Sequence, residues 1–407
     1  MTKGQLMAPA ALYIGTVGAN GLLNGMVLTI YGLYAVRTAG LTPLELTLAG
    51  TLLELTVFVG EIPTGVVADA YGRRLSVLIG LCVIGAGMAT LGTVPAFWCI
   101  ALGSILWGLG GTFITGAHQA WLADEIGEAE AAPVYLRATQ LGQIGSLVGI
   151  PIAVVLAWRS LQLPLWVSGA GFFVLAGLLV MTMPERGYRP VAWGHGGAWT
   201  AMWATLRDGV ATVRRRAALL AVLLIIVLYG MSSEALGRLT PFHLLDTVGL
   251  PPWLEEATWF GVLTAGTFLG GAMVTGIVRR NARLHAERPL LQILLVLTAA
   301  MTLGTMVFAL AGAFWLALVA AWLTRCARVA TRPLTMAWVN RGLAPETRAT
   351  VLSMLGQAES LGEITGAPAL GVVATLHTVR LGLVGAALVL LPAFPLYGYL
   401  LGRNRKI

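Results

Sequence analysis

Three arginines, Arg325, Arg328 and Arg332, interrupt the apolar run AWLTRCARVATRPLTMAW (321–338). One arginine at a bilayer centre costs at least ~2.5–3.5 kcal/mol. Their i, i+3, i+7 spacing puts all three within about 60° of one helix face. That face cannot meet lipid. Downstream, GQAESLGEITG (356–366) carries Glu359 and Glu363, an i,i+4 pair on one face. At ~1.5 Å per residue, Arg328 lies ~15 Å from a helix end at Trp338, and Glu359 lies ~14 Å from a helix start at Thr350. Arg325 and Glu363 each come to ~20 Å by the same measure. The depths predict pairs Arg328–Glu359 and Arg325–Glu363, directly or through one neighbour, with Arg332 reaching the cytoplasmic boundary. These charges leave a small positive excess facing a cavity. It can serve a proton-linked carboxylate, or it can hold an anionic substrate.

Other ionisable side chains fall in apolar runs. Glu54 and Glu61 are seven residues apart, hence about 20° apart around a helix. Glu61 lies near a helix end. Glu54 sits deeper, and burial raises a carboxyl pKa towards neutrality, as a proton carrier needs. Glu234 and Arg238 form an i,i+4 pair, readable as a gate or as a local ion pair. The proton-coupling candidates are therefore Glu54, Glu359, Glu363 and Glu234.

The elements that must position these residues are membrane helices. The chain has 407 residues, 57% hydrophobic and 11% charged. Soluble domains carry about 25% charged residues, and a span needs ~20 apolar ones. About twelve spans follow: 11–35, 43–67, 75–94, 97–122, 139–158, 163–183, 217–237, 258–278, 289–311, 314–338, 350–376 and 380–402. The net charge of +8 raises nucleic acid as a partner, and the placement of the charges rejects it. With the N-terminus inside, Arg73, Arg74, Arg137, Arg214–Arg216, Arg279, Arg280, Arg403, Arg405 and Lys406 all face the cytoplasm. Arg37, Arg159, Arg238 and Arg380 face outwards, so the positive-inside rule holds. Both termini are then cytoplasmic. Cys82, Cys99 and Cys326 all lie in spans and give no disulfide or metal spacing. The first span reads as retained, without a cleavage site.

Residues 184–216 form the one long polar interruption, and AWTAMWATLRDGVATV within it reads as an amphipathic surface helix. This predicts an all-α membrane protein of two six-helix bundles, 1–183 and 217–407, joined by the linker 184–216. QLGQIGSLVGIP (140–151) and QAESLGEITGAP (357–368) share Q-x4-G-x3-G-x-P in spans 5 and 11, which suggests duplicated bundles. The small-x3-small glycines permit close helix approach. Pro151 and Pro368 allow bending, and packing alone also accounts for both features.

Between spans 2 and 3 lies GEIPTGVVADAYGRRLSVLIG (60–80). Gly65, Asp69, Gly72, Arg73 and Arg74 give G-x3-D-x2-G-R-R. With twelve spans and a central linker, the chain resembles the major facilitator superfamily, and Glu61-Ile-Pro63-Thr-Gly65 resembles the entry to this loop in its drug-efflux branch. The resemblance implies a conformational latch of Gly65, Asp69, Gly72, Arg73 and Arg74, with Asp124 as partner. It also implies a cavity whose polar contacts are Asn20, Asn24, Thr115, His118, Gln119, Gln140 and Gln357. Three positions depart from the pattern. GIVRRNARLHAERP between spans 8 and 9 lacks the Asp, Ser104 stands where many proton-linked members have arginine, and Gly149-Ile-Pro151 replaces a Gly-Pro pair.

No phosphate loop, metal spacing or serine elbow is present, so no enzyme or cofactor is expected. The expected function is proton-coupled efflux of small apolar or amphipathic compounds by a monomer in the cell membrane. An anionic metabolite or lipid bound by the span 10 arginines, and a non-transporting receptor or assembly factor, remain open.

Overall fold

A computed structural model describes residues 3–188, 207, 217–281, 286–341 and 345–403. The amphipathic segment expected in the linker lies outside the described residues, apart from Arg207. So does most of the basic loop between spans 8 and 9.

Every long element is a helix. They are α1 (Lys3–Arg37), α2 (Pro43–Tyr71), α3 (Arg73–Thr93), α4 (Phe97–Ile114), α5 (Ala117–Ile126), α6 (Glu128–Ala157) and α7 (Leu163–Thr182). After the linker come α8 (Ala217–Phe242), α9 (Glu256–Asn281), α10 (Glu287–Leu310), α11 (Phe314–Arg341), α12 (Pro345–Leu376), α13 (Val379–Leu388) and α14 (Ala393–Arg403). A π turn, His243–Val248, prolongs α8. Among the described residues, 11 segments are long and apolar enough to cross a membrane. They take α4 with α5, and α13 with α14, as single spans. The further span is α12, whose 32 residues exceed the ~20 a bilayer needs. Glu359 and Glu363 dilute its hydropathy.

Two spans expected to be continuous are broken. Span 4 breaks at Gly116, where φ is +78°, a left-handed backbone that glycine adopts without a Cβ clash. Span 12 breaks before Ala393, at Pro392, which has no backbone N–H to donate. Span 5 starts earlier than expected, at Glu128, because the polar EAEAAPVYLRAT turns remain helical beyond the apolar run.

Two compact units gather these elements. The first holds α1, α2 from Leu52, α3–α7 and the segment Leu254–Thr264. The second holds Thr42–Thr51 and the rest of α8–α14.

In the first unit α1 packs along α6, and α3 along α4 and α7. A Cβ on Gly145 would lie 2.2 Å from Gly18 O, and one on Gly149 would lie 2.3 Å from Leu22 O. Met26, Ile30, Leu81, Met88 and Phe172 fill the core. Arg37 also grips the Glu256 carboxylate at 2.7–3.1 Å. Both side chains are about 40% exposed, so that pair contributes ~0–1 kcal/mol.

In the second unit α8 packs along α12, and α10 along α11. A Cβ on Gly362 would lie 2.1 Å from Val227 O, and one on Gly230 would lie 2.3 Å from Glu359 O. The two patterned glycine segments thus make equivalent close approaches, α6 to α1 and α12 to α8.

Gly362→Ala should lower the melting temperature of the detergent-solubilised protein, since overpacking costs ~1–3 kcal/mol. Gly15→Ala meets nothing within 4 Å and should leave melting unchanged. Equal melting of the two variants would show that the close approach carries no stability.

Candidate functional site

The charges of α11 meet those of α12 inside the second unit. Arg328 Nη2 donates to Glu359 Oε1 in an ion pair, with side chains 19% and 17% exposed. Gly230 permits the pairing, because its missing side chain lets α8 press against the Glu359 backbone. The Arg328 guanidinium carbon lies 5.6 Å from the centre of the Tyr229 ring, within cation–π range.

Tyr229 belongs to a hydrogen-bonded chain. Its hydroxyl lies 2.5 Å from Thr298 Oγ1 and 2.9 Å from Tyr397 OH. Thr298 donates its own proton to Leu294 O at 2.7 Å. A hydroxyl carries one proton, so Tyr229 donates to Thr298 and Tyr397 donates to Tyr229. The chain runs one way and ties α14, α8 and α10 together behind Arg328.

Arg325 sits one turn away. The sequence depths pointed to Glu363, and its Nη2 instead donates to Thr240 Oγ1 of α8 at 3.0 Å. Arg332 lies on the exposed side of α11. Glu363 is half-buried on α12. A pocket of about 290 Å³, part of it open, is lined by Ile226, Tyr229, Arg328, Arg332, Met336 and Glu359, with Thr331, Thr335 and Leu355 completing it.

The signature loop forms a second polar cluster, in the first unit. Arg73 pairs with Asp69 one turn back, and its Nε lies 3.5 Å from Asp124 Oδ2. Gly72 turns the chain between α2 and α3 with φ +121°. Residues 184–188 strap this loop down. Glu185 accepts from the Arg74 N–H at 2.8 Å, and Tyr188 donates to Asp69 O at 2.9 Å. Glu125 accepts from the N–H groups of Arg186 and Gly187 at 2.5 and 2.8 Å. Trp121 Nε1 donates to Pro184 O at 2.6 Å. A Cβ on Gly187 would fall 1.9 Å from Asp124 O, so glycine is needed for the strap to lie this close. Gly65 is exposed, with nothing within 4 Å of its would-be Cβ.

The remaining candidates are scattered. Asn24 donates to Asn20 Oδ1 at 2.7 Å, one turn away on α1. His118 is 6% exposed, stacked 4.3 Å from Tyr13 and 5.9 Å from Trp121. That places it in aromatic packing. Thr115 donates to Gly111 O at the α4 end. Gln119 and Gln140 are exposed, and Glu54 and Gln357 are half-buried. Glu234 and Arg238 pair at 2.6 Å, against the bare backbone of Gly50.

Against known proteins, the profile described as Major Facilitator Superfamily matches residues 14–367. The chain belongs to this superfamily. It is therefore a multi-pass membrane protein with the superfamily's alternating-access fold. Inner membrane transport protein YajR of Escherichia coli is 31% identical over 157 residues, covering 38% of this chain and 32% of that one. Uncharacterized MFS-type transporter YxaM of Bacillus subtilis is 27% identical over 121 residues, 30% of each chain. The chain thus spans about a third of the length of the curated relatives it matches.

Solved structures share the fold across nearly the whole chain. The nucleoside transporter NupG has a TM-score of 0.77 at 14% identity, covering 96% of this chain and 99% of that one. A bacterial homolog to the human lysosomal transporter Spinster has a TM-score of 0.76 at 13% identity, covering 99% and 98%. The peptide transporter POT gives 0.76 at 13%, covering 98% and 94%. These relatives point to a transporter, not an enzyme.

For this superfamily member, sequence reasoning missed Tyr229, Thr240, Thr298 and Tyr397 behind the arginines, and Trp121, Glu125, Glu185 and Tyr188 around the loop. PERGY directly after span 6 was the one available signal for the strap. Nothing local marks Tyr229 beyond its place beside Gly230.

Removing one partner of a buried ion pair costs ~3–5 kcal/mol, because the other charge is left buried. Glu359→Gln should destabilise by about that much, and adding Arg328→Gln should restore most of it. Thermal melting of both single variants and the double variant reads the coupling; additive losses would mean that the pair does not stabilise the fold.

Proposed function

We propose that this protein is a secondary active transporter that exports small amphipathic compounds in exchange for protons, working as a monomer. The observation that carries this reading is the Arg328–Glu359 pair in the wall of a half-apolar pocket. A carboxylate neutralises Arg328; a carboxylic acid does not. A proton arriving on Glu359 therefore frees the guanidinium and changes the charge of the pocket by one unit. Loss of the proton re-forms the pair. Such a change gives the two protonation states different affinities for a ligand, which is what coupling requires.

Ile226, Met336 and Leu355 supply the apolar part of the wall, and Tyr229, Thr331 and Thr335 the polar part. This mixture suits compounds with an apolar body and few polar groups. The bundles 1–183 and 217–407 would rock about the cavity, and the cluster of Asp69, Arg73 and Asp124 would hold one of the two states.

Protein in liposomes under an imposed pH gradient tests the coupling. The Arg328→Gln, Glu359→Gln double variant should stay folded and still bind, yet its flux should no longer follow the gradient. Glu54→Gln should keep gradient-driven flux. The reverse pattern would move the proton to Glu54 and refute the assignment. Asp69→Asn should cut transport at least severalfold while insertion and melting stay normal, and normal transport by that variant would remove the latch.

A further inference from the structure

Arg332 adds a charge to this pocket that no ion pair among the described residues neutralises. The pocket wall holds two guanidiniums, Arg328 and Arg332, and one carboxylate, Glu359. Glu359 is committed to Arg328. Among the described residues no ion pair reaches Arg332, and its side chain is exposed on the wall. One positive charge is left facing the ligand space.

The hydroxyls beside these arginines are already spent as donors. Thr331 donates to Arg328 O at 2.7 Å, and Thr335 donates to Thr331 O at 2.9 Å. Each hydroxyl has one proton and two lone pairs, so both can only accept from a ligand. The N–H groups open to an anion are therefore those of the arginines. A planar guanidinium fork matches carboxylate, sulfonate and phosphate oxygens. One turn further along α11, Met336 lies beside Arg332 on the same wall, with Leu355 and Ile226 completing the apolar side.

We infer that this pocket selects amphipathic organic monoanions, with Arg332 holding the anionic head and Ile226, Met336 and Leu355 holding the apolar body. The inference rests on the reading that this pocket is the transport site. A cation of the same shape would bring a second net positive charge beside Arg332 and is rejected. A monoanion leaves the pocket neutral while Glu359 is ionised. The head can belong to a free organic acid or to a lysolipid.

Three probes with one body separate the charges: naphthalene-1-sulfonate, 1-naphthalenemethanol and 1-naphthylmethylammonium. Binding is read by thermal stabilisation and by calorimetry in detergent, and flux in liposomes. The sulfonate should bind, and the ammonium should not. Arg332→Gln should weaken sulfonate binding at least about tenfold, the loss of one charge-assisted contact, and Arg332→Lys should recover part of it. Melting of the unliganded variants checks that they are folded. Displacement of the sulfonate by lysophosphatidylglycerol assigns the head to a lipid, and its failure assigns a soluble acid; both outcomes support the anion. Equal binding of all three probes, or sulfonate binding unchanged in Arg332→Gln, overturns the inference. If the neutral alcohol follows the pH gradient while the sulfonate neither binds nor moves, the substrate class falls and the proton-coupled exporter stands. If the sulfonate binds through Arg332 and no flux follows the gradient, the exporter reading falls and the anion site stands.

Discussion

A charge that has left water must find another charge, and the second unit is arranged around that constraint. Arg328 is tolerated in α11 because Glu359 of α12 meets it and its guanidinium carbon lies 5.6 Å from the centre of the Tyr229 ring of α8. Those contacts require α8 and α12 to touch backbone to backbone, which Gly230 and Gly362 permit. The Tyr397–Tyr229–Thr298 chain then fixes the ring on which the arginine rests.

The same economy of small residues builds the first unit, where Gly145 and Gly149 bring α6 against α1. Lipid tails are as apolar as leucine, so membrane helices associate through close packing and polar contacts. The first unit uses its charges differently, spending them at a helix junction. Asp69, Arg73 and Asp124 draw α2, α3 and α5 together, and residues 184–188 are drawn onto them by Glu125 and the Arg74 N–H. The break at Gly116 separates α5 from α4.

Much of this was legible because it follows from local rules. The hydropathy of the chain marks the spans, and periodicity puts Arg325, Arg328 and Arg332 on one face. Counting rise per residue was enough to match Arg328 with Glu359, since membrane helices run straight between known boundaries. For Arg325 the count gave the level in the membrane and not the contact to Thr240. Depth says which residues share a level in the membrane, but it does not say which way a helix is rotated, and α8 presents Thr240 to Arg325. For His118 the place on a helix and the neighbouring Trp121 are local information, while the Tyr13 ring that meets it belongs to α1.

From the sequence alone came the membrane class, the approximate spans, the signature loop with its charges, and the two glycine-patterned helices. Each depends on residues close together in the chain, whose spacing obeys helix geometry and the cost of burying charge. Only the tertiary structure decided which arginine is neutralised and which is left facing the pocket. It also decided that α4 and α5 are separate helices and that 184–188 close over the loop. Those outcomes turn on the rotation and approach of helices distant in sequence, which are set by how all the side chains pack at once.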